Sequence, residues 1–240
     1  LIERIETLKA KKILGGMAVS NYYAEKLNST KLFQVYQTEY PRVKRYFDEE
    51  INFVRQNLHG TERLLEVGTG YGRIIKELAP HVTTAVGIDI SSASVELGKE
   101  YLKDYPNCSI QMMDAHNLEF NEEFDVVLCL QNGLSAMKGK PMDLINQCMK
   151  VLKIGGRTYF STYSAKFWDH RLMWFHEQAD KGLLGEIDTE KTRDGKIICK
   201  DGFVAITFSE DELRKLGEES GYPYLIEEVD ESSLFLILEK

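Results

Sequence analysis

The chain has 240 residues, 43% of them hydrophobic and 28% charged, the make-up of an ordinary globular protein and not of a disordered or fibrous one. Its net charge is −8, and its Lys and Arg residues alternate with acids, as in Lys76-Glu77, Lys99-Glu100 and Lys103-Asp104. Such a pattern reads as solvated helix faces with no basic stripe to displace counterions from a nucleic-acid backbone, so nucleic acid is not an expected partner.

From the amino end, residues 1–60 are expected to be helical, because Tyr36, Tyr40, Val43, Tyr46, Phe47, Ile51, Val54 and Leu58 recur at helical spacing. Pro41 suits the first turn of a new helix. After Leu64 the pattern changes to short apolar runs alternating with amphipathic segments. Strands are predicted at Leu64–Val67, Ala85–Asp89, Ser109–Met113, Asp125–Leu130 and Arg157–Thr162, with helices at Arg73–Ala79, Ala93–Tyr105 and Pro141–Leu152. Repeated strand–helix–strand units build a parallel sheet covered on both faces.

The rhythm breaks at 166–208, where an aromatic helix (Phe167, Trp168, Trp174, Phe175) precedes β-prone stretches around 186–192 and 196–206. Asp194-Gly195 predicts a hairpin turn between those stretches. Ser209 and Glu212 have capping-box spacing for a last helix that ends at Gly221, and two strands follow, Tyr224–Val229 and Leu234–Leu238. The longest strongly apolar run, Val126–Leu130, is strand-sized and far below the ~18 residues of a membrane helix, so no membrane partner is expected. Four widely spaced cysteines without a CxxC pair point to free thiols in a reducing cytoplasm.

The densest motif is Glu66-Val67-Gly68-Thr69-Gly70-Tyr71-Gly72, which leaves a strand and opens a helix. Glycines there allow a tight turn and close approach of a ligand to the backbone. A dinucleotide loop usually reads GxGxxG, whereas Arg73 stands where that pattern has its third glycine. Asp89 closes the next strand in Gly87-Ile88-Asp89-Ile90. An acid at that place accepts from ribose hydroxyls, or else caps the helix after Ser91.

The string Glu66 to Gly72 resembles the ExGxGxG signature of class I S-adenosylmethionine-dependent methyltransferases, of the small-molecule type. The resemblance runs from about residue 60 to 162 and resumes from 209 to the end. It includes Asp114-Ala115 after the third strand, the exit Leu130-Gln131-Asn132 from the fourth, and Leu152-Lys153-Ile154-Gly155-Gly156-Arg157 before the fifth. It implies an α/β fold, a Rossmann-like seven-stranded mostly parallel sheet with a C-terminal antiparallel β-hairpin. An N-terminal helical cap (1–60) and a small inserted α+β lid (166–208) would flank a cofactor domain made of 61–165 and 209–240. The resemblance further implies S-adenosylmethionine as cofactor, held by Glu66, Gly68, Thr69, Gly70, Gly72, Asp89, Ile90, Asp114, Ala115 and Leu130.

The implied activity is methyl transfer to a small-molecule acceptor by in-line displacement, chiefly through positioning and desolvation. Tyr22, Tyr23, Gln131, Asn132, Tyr163, Trp168 and Arg171 are the expected acceptor contacts, with the inserted lid lying over the cofactor cleft. No single base is demanded by this chemistry; His116, Tyr22 and Tyr23 are the candidates. Gln131-Asn132-Gly133-Leu134 departs from the N/D-P-P-Y motif of branches that methylate nucleic-acid bases and protein amides. His170 and His176 lack the HExxH form, so no metal is expected, and Gly-x-Ser-x-Gly is absent. An NAD-dependent oxidoreductase or a non-catalytic nucleotide-binding module are the rival readings. The chain is expected to be a monomer or a homodimer.

Overall fold

The structure, a computed structural model, describes Tyr22 and residues 26–240. Within the expected cap lie α1 (Ser29–Val35) and α2 (Pro41–Gln56), with Pro41 at the start of α2 as its missing N–H and fixed φ favour. Val43, Phe47, Ile51 and Val54 form the buried stripe of α2.

The central sheet has the order β3-β2-β1-β4-β5-β9-β8, with β1 at Arg63–Val67, β2 at Thr84–Asp89, β3 at Cys108–Met112, β4 at Phe124–Cys129 and β5 at Leu152–Tyr163. These five run parallel; β8 (Tyr224–Val229) and β9 (Ser233–Glu239) form an antiparallel hairpin whose β9 lies beside β5. The connecting helices are α3 (Arg73–Leu78), α4 (Ser92–Tyr101), a short α5 (Gly133–Ala136) and α6 (Pro141–Val151). Chain order reverses direction between β1 and β4, and in open parallel sheets the crevice outside the carboxyl ends at such a point receives ligands.

The sheet is apolar on both faces: Leu65, Val127 and Phe160 pack under α6 in one cluster, while Leu64, Leu128 and Tyr159 pack under α2 and α3 in another. Two buried faces explain why these strands read as continuous apolar runs. A third cluster joins the cap to the insertion. Tyr46 and Phe47 of α2 make ring contacts with Trp174 of α7 (Trp168–Asp180), at 6.4 and 5.2 Å between centroids. Fully burying rings of this size contributes ~1.5–3 kcal/mol each, so the insertion is anchored on the cap.

Two elements differ from their expected form. β5 begins at Leu152, directly after α6; the backbone turns at Gly155 with φ +81°, and regular pairing with β4 resumes at Arg157. In the insertion, Asp194 and Gly195 do form the turn, both at positive φ and closed by hydrogen bonds between Arg193 and Lys196. The two-stranded ladder lies further on, between β6 (Ile197–Ile198) and β7 (Val204–Ala205); the 186–192 stretch contributes only a bridge from Ile187 to Cys199. Asp201-Gly202, with Gly202 at φ +93°, supplies the turn that captures this pairing. The final helix α8 (Glu210–Ser220) carries the full capping box of Ser209 and Glu212 and stops at left-handed Gly221.

Candidate functional site

The site grows from the loop between β1 and α3. Gly68 and Gly70 hold φ of +71° and +60°, a region that side chains with a Cβ rarely enter. A Cβ on Gly70 would also stand 2.6 Å from Leu32 Cδ2 of the cap, so the cap lies directly on the loop. Asp89, at the end of β2, ties the loop to the neighbouring strand. Its Oδ2 accepts from Gly70 N–H at 2.9 Å and its Oδ1 from Ser91 N–H at 2.8 Å. Burial pushes its carboxyl pKa up, against the pull of those two bonds. Ser91, not Asp89, supplies the side-chain cap of α4 by accepting from Ser94 N–H.

Glu66 is buried within β1, and its Oε2 accepts from Thr69 Oγ1 at 2.5 Å. Burial pushes its pKa up to about 7, with the Thr69 bond and the Arg73 charge opposing. After β3, Asp114 turns the chain and accepts from His116 N–H at 2.9 Å; the His116 Nδ1 lies 3.5 Å from the same oxygen.

After β4 the backbone takes two successive left-handed steps at Gln131 (φ +55°) and Asn132 (φ +62°). Such steps on non-glycine residues cost ~1–3 kcal/mol each and persist only where the surroundings over-determine them. Here Ser161 Oγ accepts from Gln131 N–H at 2.9 Å, and Ser161 O from Asn132 N–H at 3.1 Å. Glu50 of α2, buried, receives both the Gln131 side-chain amide and the Ser161 hydroxyl. Burial raises the Glu50 pKa, while those donors pull it down. Asn132 donates to Ile206 O of the insertion and accepts from Thr162 Oγ1, each at 2.8 Å.

These segments enclose a cavity of about 570 Å³. Of the expected cofactor residues, Glu66, Gly68, Thr69, Gly70, Asp89, Ile90, Asp114, Ala115 and Leu130 line it. Gly72 stands behind the loop as the left-handed residue before α3. His116, Gln131 and Tyr163 also line it, as do Trp174, Phe175, Gln178 and Phe203 of the insertion and Leu32, Val35 and Tyr36 of the cap.

Other expected contacts lie elsewhere. Asn132 is outside the lining because both ends of its amide are engaged by protein. Trp168 and Arg171 face a separate groove with Ser164 and Glu228, and Arg171 is buried, donating to Gly195 O and Ala205 O as a brace of the insertion. Tyr22 is not a lining residue; its hydroxyl donates to Asp201 Oδ2 at 2.7 Å and its ring meets Phe203 edge-on, which clasps the cap to the insertion. Burial and Asp201 raise the Tyr22 pKa. Tyr23 lies outside the described residues.

Glu50 was not marked in the sequence, and Arg73 was marked only for standing where a dinucleotide loop has its third glycine, not as a site residue. The signal for Glu50 was present, since it falls on the stripe Val43, Phe47, Glu50, Val54, where an acid interrupts an apolar helix face. Among the described residues, no helix is long and apolar enough to cross a membrane.

Residues 64–156 match the methyltransferase domain family. A ubiquinone biosynthesis O-methyltransferase from Coxiella burnetii is 28% identical over 108 residues, 44% of this chain and 45% of that protein. The chain thus spans about half the length of the curated relatives it matches. Among solved structures, an S-adenosylmethionine-dependent methyltransferase from Methanosarcina mazei superposes with a TM-score of 0.57 at 20% identity, covering 84% of this chain and 97% of the other. The N-methyltransferase NodS from Bradyrhizobium japonicum, solved with S-adenosylhomocysteine, gives 0.56 at 15% identity and covers 92% and 99%.

Proposed function

We propose that this chain, a member of the class I methyltransferase family by its matched domain and its Rossmann-like fold, moves a methyl group from S-adenosylmethionine to a small, largely apolar acceptor. The observation that carries the reading is the glycine loop pinned by Asp89 beside a cavity that continues to an aromatic end.

The residues fit the donor. Each carboxylate oxygen accepts more than one hydrogen bond, so Asp89 can hold Gly70 and Ser91 and still receive ribose hydroxyls. Asp114 and Ala115 would face the adenine ring, and the Gly68–Gly70 backbone would take the methionyl part. When bound, the donor supplies a methyl carbon already activated by its sulfonium. The remaining tasks fall to the chain. Trp174, Phe175 and Phe203 wall off water and, with Tyr163, hold the acceptor in line; alignment of this kind supplies up to ~7–11 kcal/mol. Glu66 places acidity beside a ligand that bears two cationic centres. An acceptor proton can leave to solvent through the cavity mouth or to His116, and no residue is singled out as base.

The insertion 166–208 and the cap are read as the two covers of the acceptor pocket, clasped through Tyr22 and Asp201. A chain of net charge −8 with four free cysteines supports a cytoplasmic enzyme without a nucleic-acid partner, as monomer or homodimer. The test is transfer of labelled methyl from S-adenosylmethionine to a panel of phenols, amines and carbon acids. Label in at least one acceptor is expected. S-adenosylhomocysteine binding without any transfer would favour a non-catalytic module.

A further inference from the structure

Arg73 is the first residue of α3, and its side chain lines the cavity. Its guanidinium lies over the rings of Tyr36 (4.3 Å to the centroid) and Phe47 (5.2 Å), which fix its plane. The guanidinium also bears on the Tyr36 hydroxyl, yet Nε and Nη2 are shut off from solvent and meet no acceptor in hydrogen-bonding geometry. Buried donors of this kind are rare, and each left unmade is costly. The two nearby carboxyls do not satisfy them. Glu50 is engaged by Ser161 and Gln131, and Glu66 by Thr69. Burial also raises the pKa of both carboxyls, against the pull of the Arg73 charge. A second cavity-lining donor, Gln178 Nε2 on α7, is likewise buried without a partner.

A planar fork held between rings matches the two oxygens of a carboxylate, and a guanidinium is the group best suited to that bidentate contact. We propose that Arg73 is the carboxylate anchor of this cavity, a role that rests on the methyl-transfer reading for the identity of its ligands. The carboxylate belongs either to the amino-acid end of the methyl donor or to the acceptor.

Calorimetry on the folded full chain separates these sources. Wild type, Arg73→Met and Arg73→Lys are titrated with S-adenosylhomocysteine and with its decarboxylated analogue, which keeps the amine. Each protein saturated with S-adenosylhomocysteine is then titrated with benzoate. If the donor's carboxylate is held, wild type prefers S-adenosylhomocysteine over the analogue by roughly ten- to hundred-fold, and Arg73→Met erases the preference. If the acceptor's is held, that preference survives the substitution and benzoate binding is lost instead. Arg73→Lys, which keeps the charge without the fork, should fall between, and serves should the methionine variant fail to fold. An unchanged preference, with benzoate binding that is absent from wild type or equal in all three, overturns the anchor. Failure of wild type to bind either adenosyl compound would instead overturn the methyl-transfer reading, which keeps the two failures apart.

Discussion

Asp89→Ala is expected to weaken S-adenosylhomocysteine binding by about a hundred-fold or more and to lower the melting temperature. Two ribose hydroxyls donating to an ionised carboxylate contribute ~1.5–3 kcal/mol each, and either alone is worth roughly ten-fold or more in affinity. The substitution also strips the acceptor from Gly70 N–H and Ser91 N–H, so the glycine loop loses its tie to β2. Asp89→Asn keeps the volume and one acceptor oxygen and should lose less of both. Calorimetry on folded protein, paired with thermal melts, checks this. Affinity within about three-fold of wild type would remove Asp89 from the ribose site and leave it only its loop bonds.

The second large effect concerns pH. Glu66 rises from an ordinary carboxyl value of 4.5 to about 7 on folding, because burial withholds water from its charge. A carboxyl raised on folding stabilises the native state fully below about 4.5, where both states carry the proton. That contribution is lost as pH climbs through 7, where the native state must expel the proton from a buried site. At 1.36 kcal/mol per unit, the loss between pH 4 and pH 8 is about 3 kcal/mol. Glu66→Gln removes the titration while keeping an oxygen for Thr69 Oγ1. Denaturant unfolding across that range should therefore show the variant gaining on wild type by about 3 kcal/mol as pH rises. Parallel stability curves would mean that Glu66 titrates near its ordinary value.

Much of this architecture was legible in the chain itself because its signals are local. Pro41, Gly72, the Ser209–Glu212 box and Gly221 each impose a backbone angle or satisfy an orphan donor within a few residues. The central parallel strands β1 and β4 were readable because they are buried on both faces. The glycine loop, Asp89 and Asp114 line one cavity because the topology brings the carboxyl ends of β1, β2 and β3 together. What escaped depends on partners distant in sequence. Glu50 is buried only because Ser161 and Gln131 stand opposite, 111 and 81 residues away. Asn132 looked like an acceptor contact, but its amide is spent on Ile206 and Thr162. Arg171 had the chemistry of a ligand contact and instead braces the insertion through carbonyls of Gly195 and Ala205. The Asp194-Gly195 turn was readable, yet which strands paired beyond it was decided by a second turn at Asp201-Gly202.

The distinction between an adenosyl methyl donor, the ligand proposed for this cavity, and a dinucleotide is written in the loop. It rests on Gly68, Gly70 and Gly72 with Arg73 in the place of the further glycine that gives a dinucleotide loop its close helix–strand packing. Calorimetric titration of the wild-type chain with S-adenosylhomocysteine and, separately, with NAD tests it most directly. One saturable site for S-adenosylhomocysteine and no heat from NAD is the expected result; saturable NAD binding with no response to S-adenosylhomocysteine would contradict it.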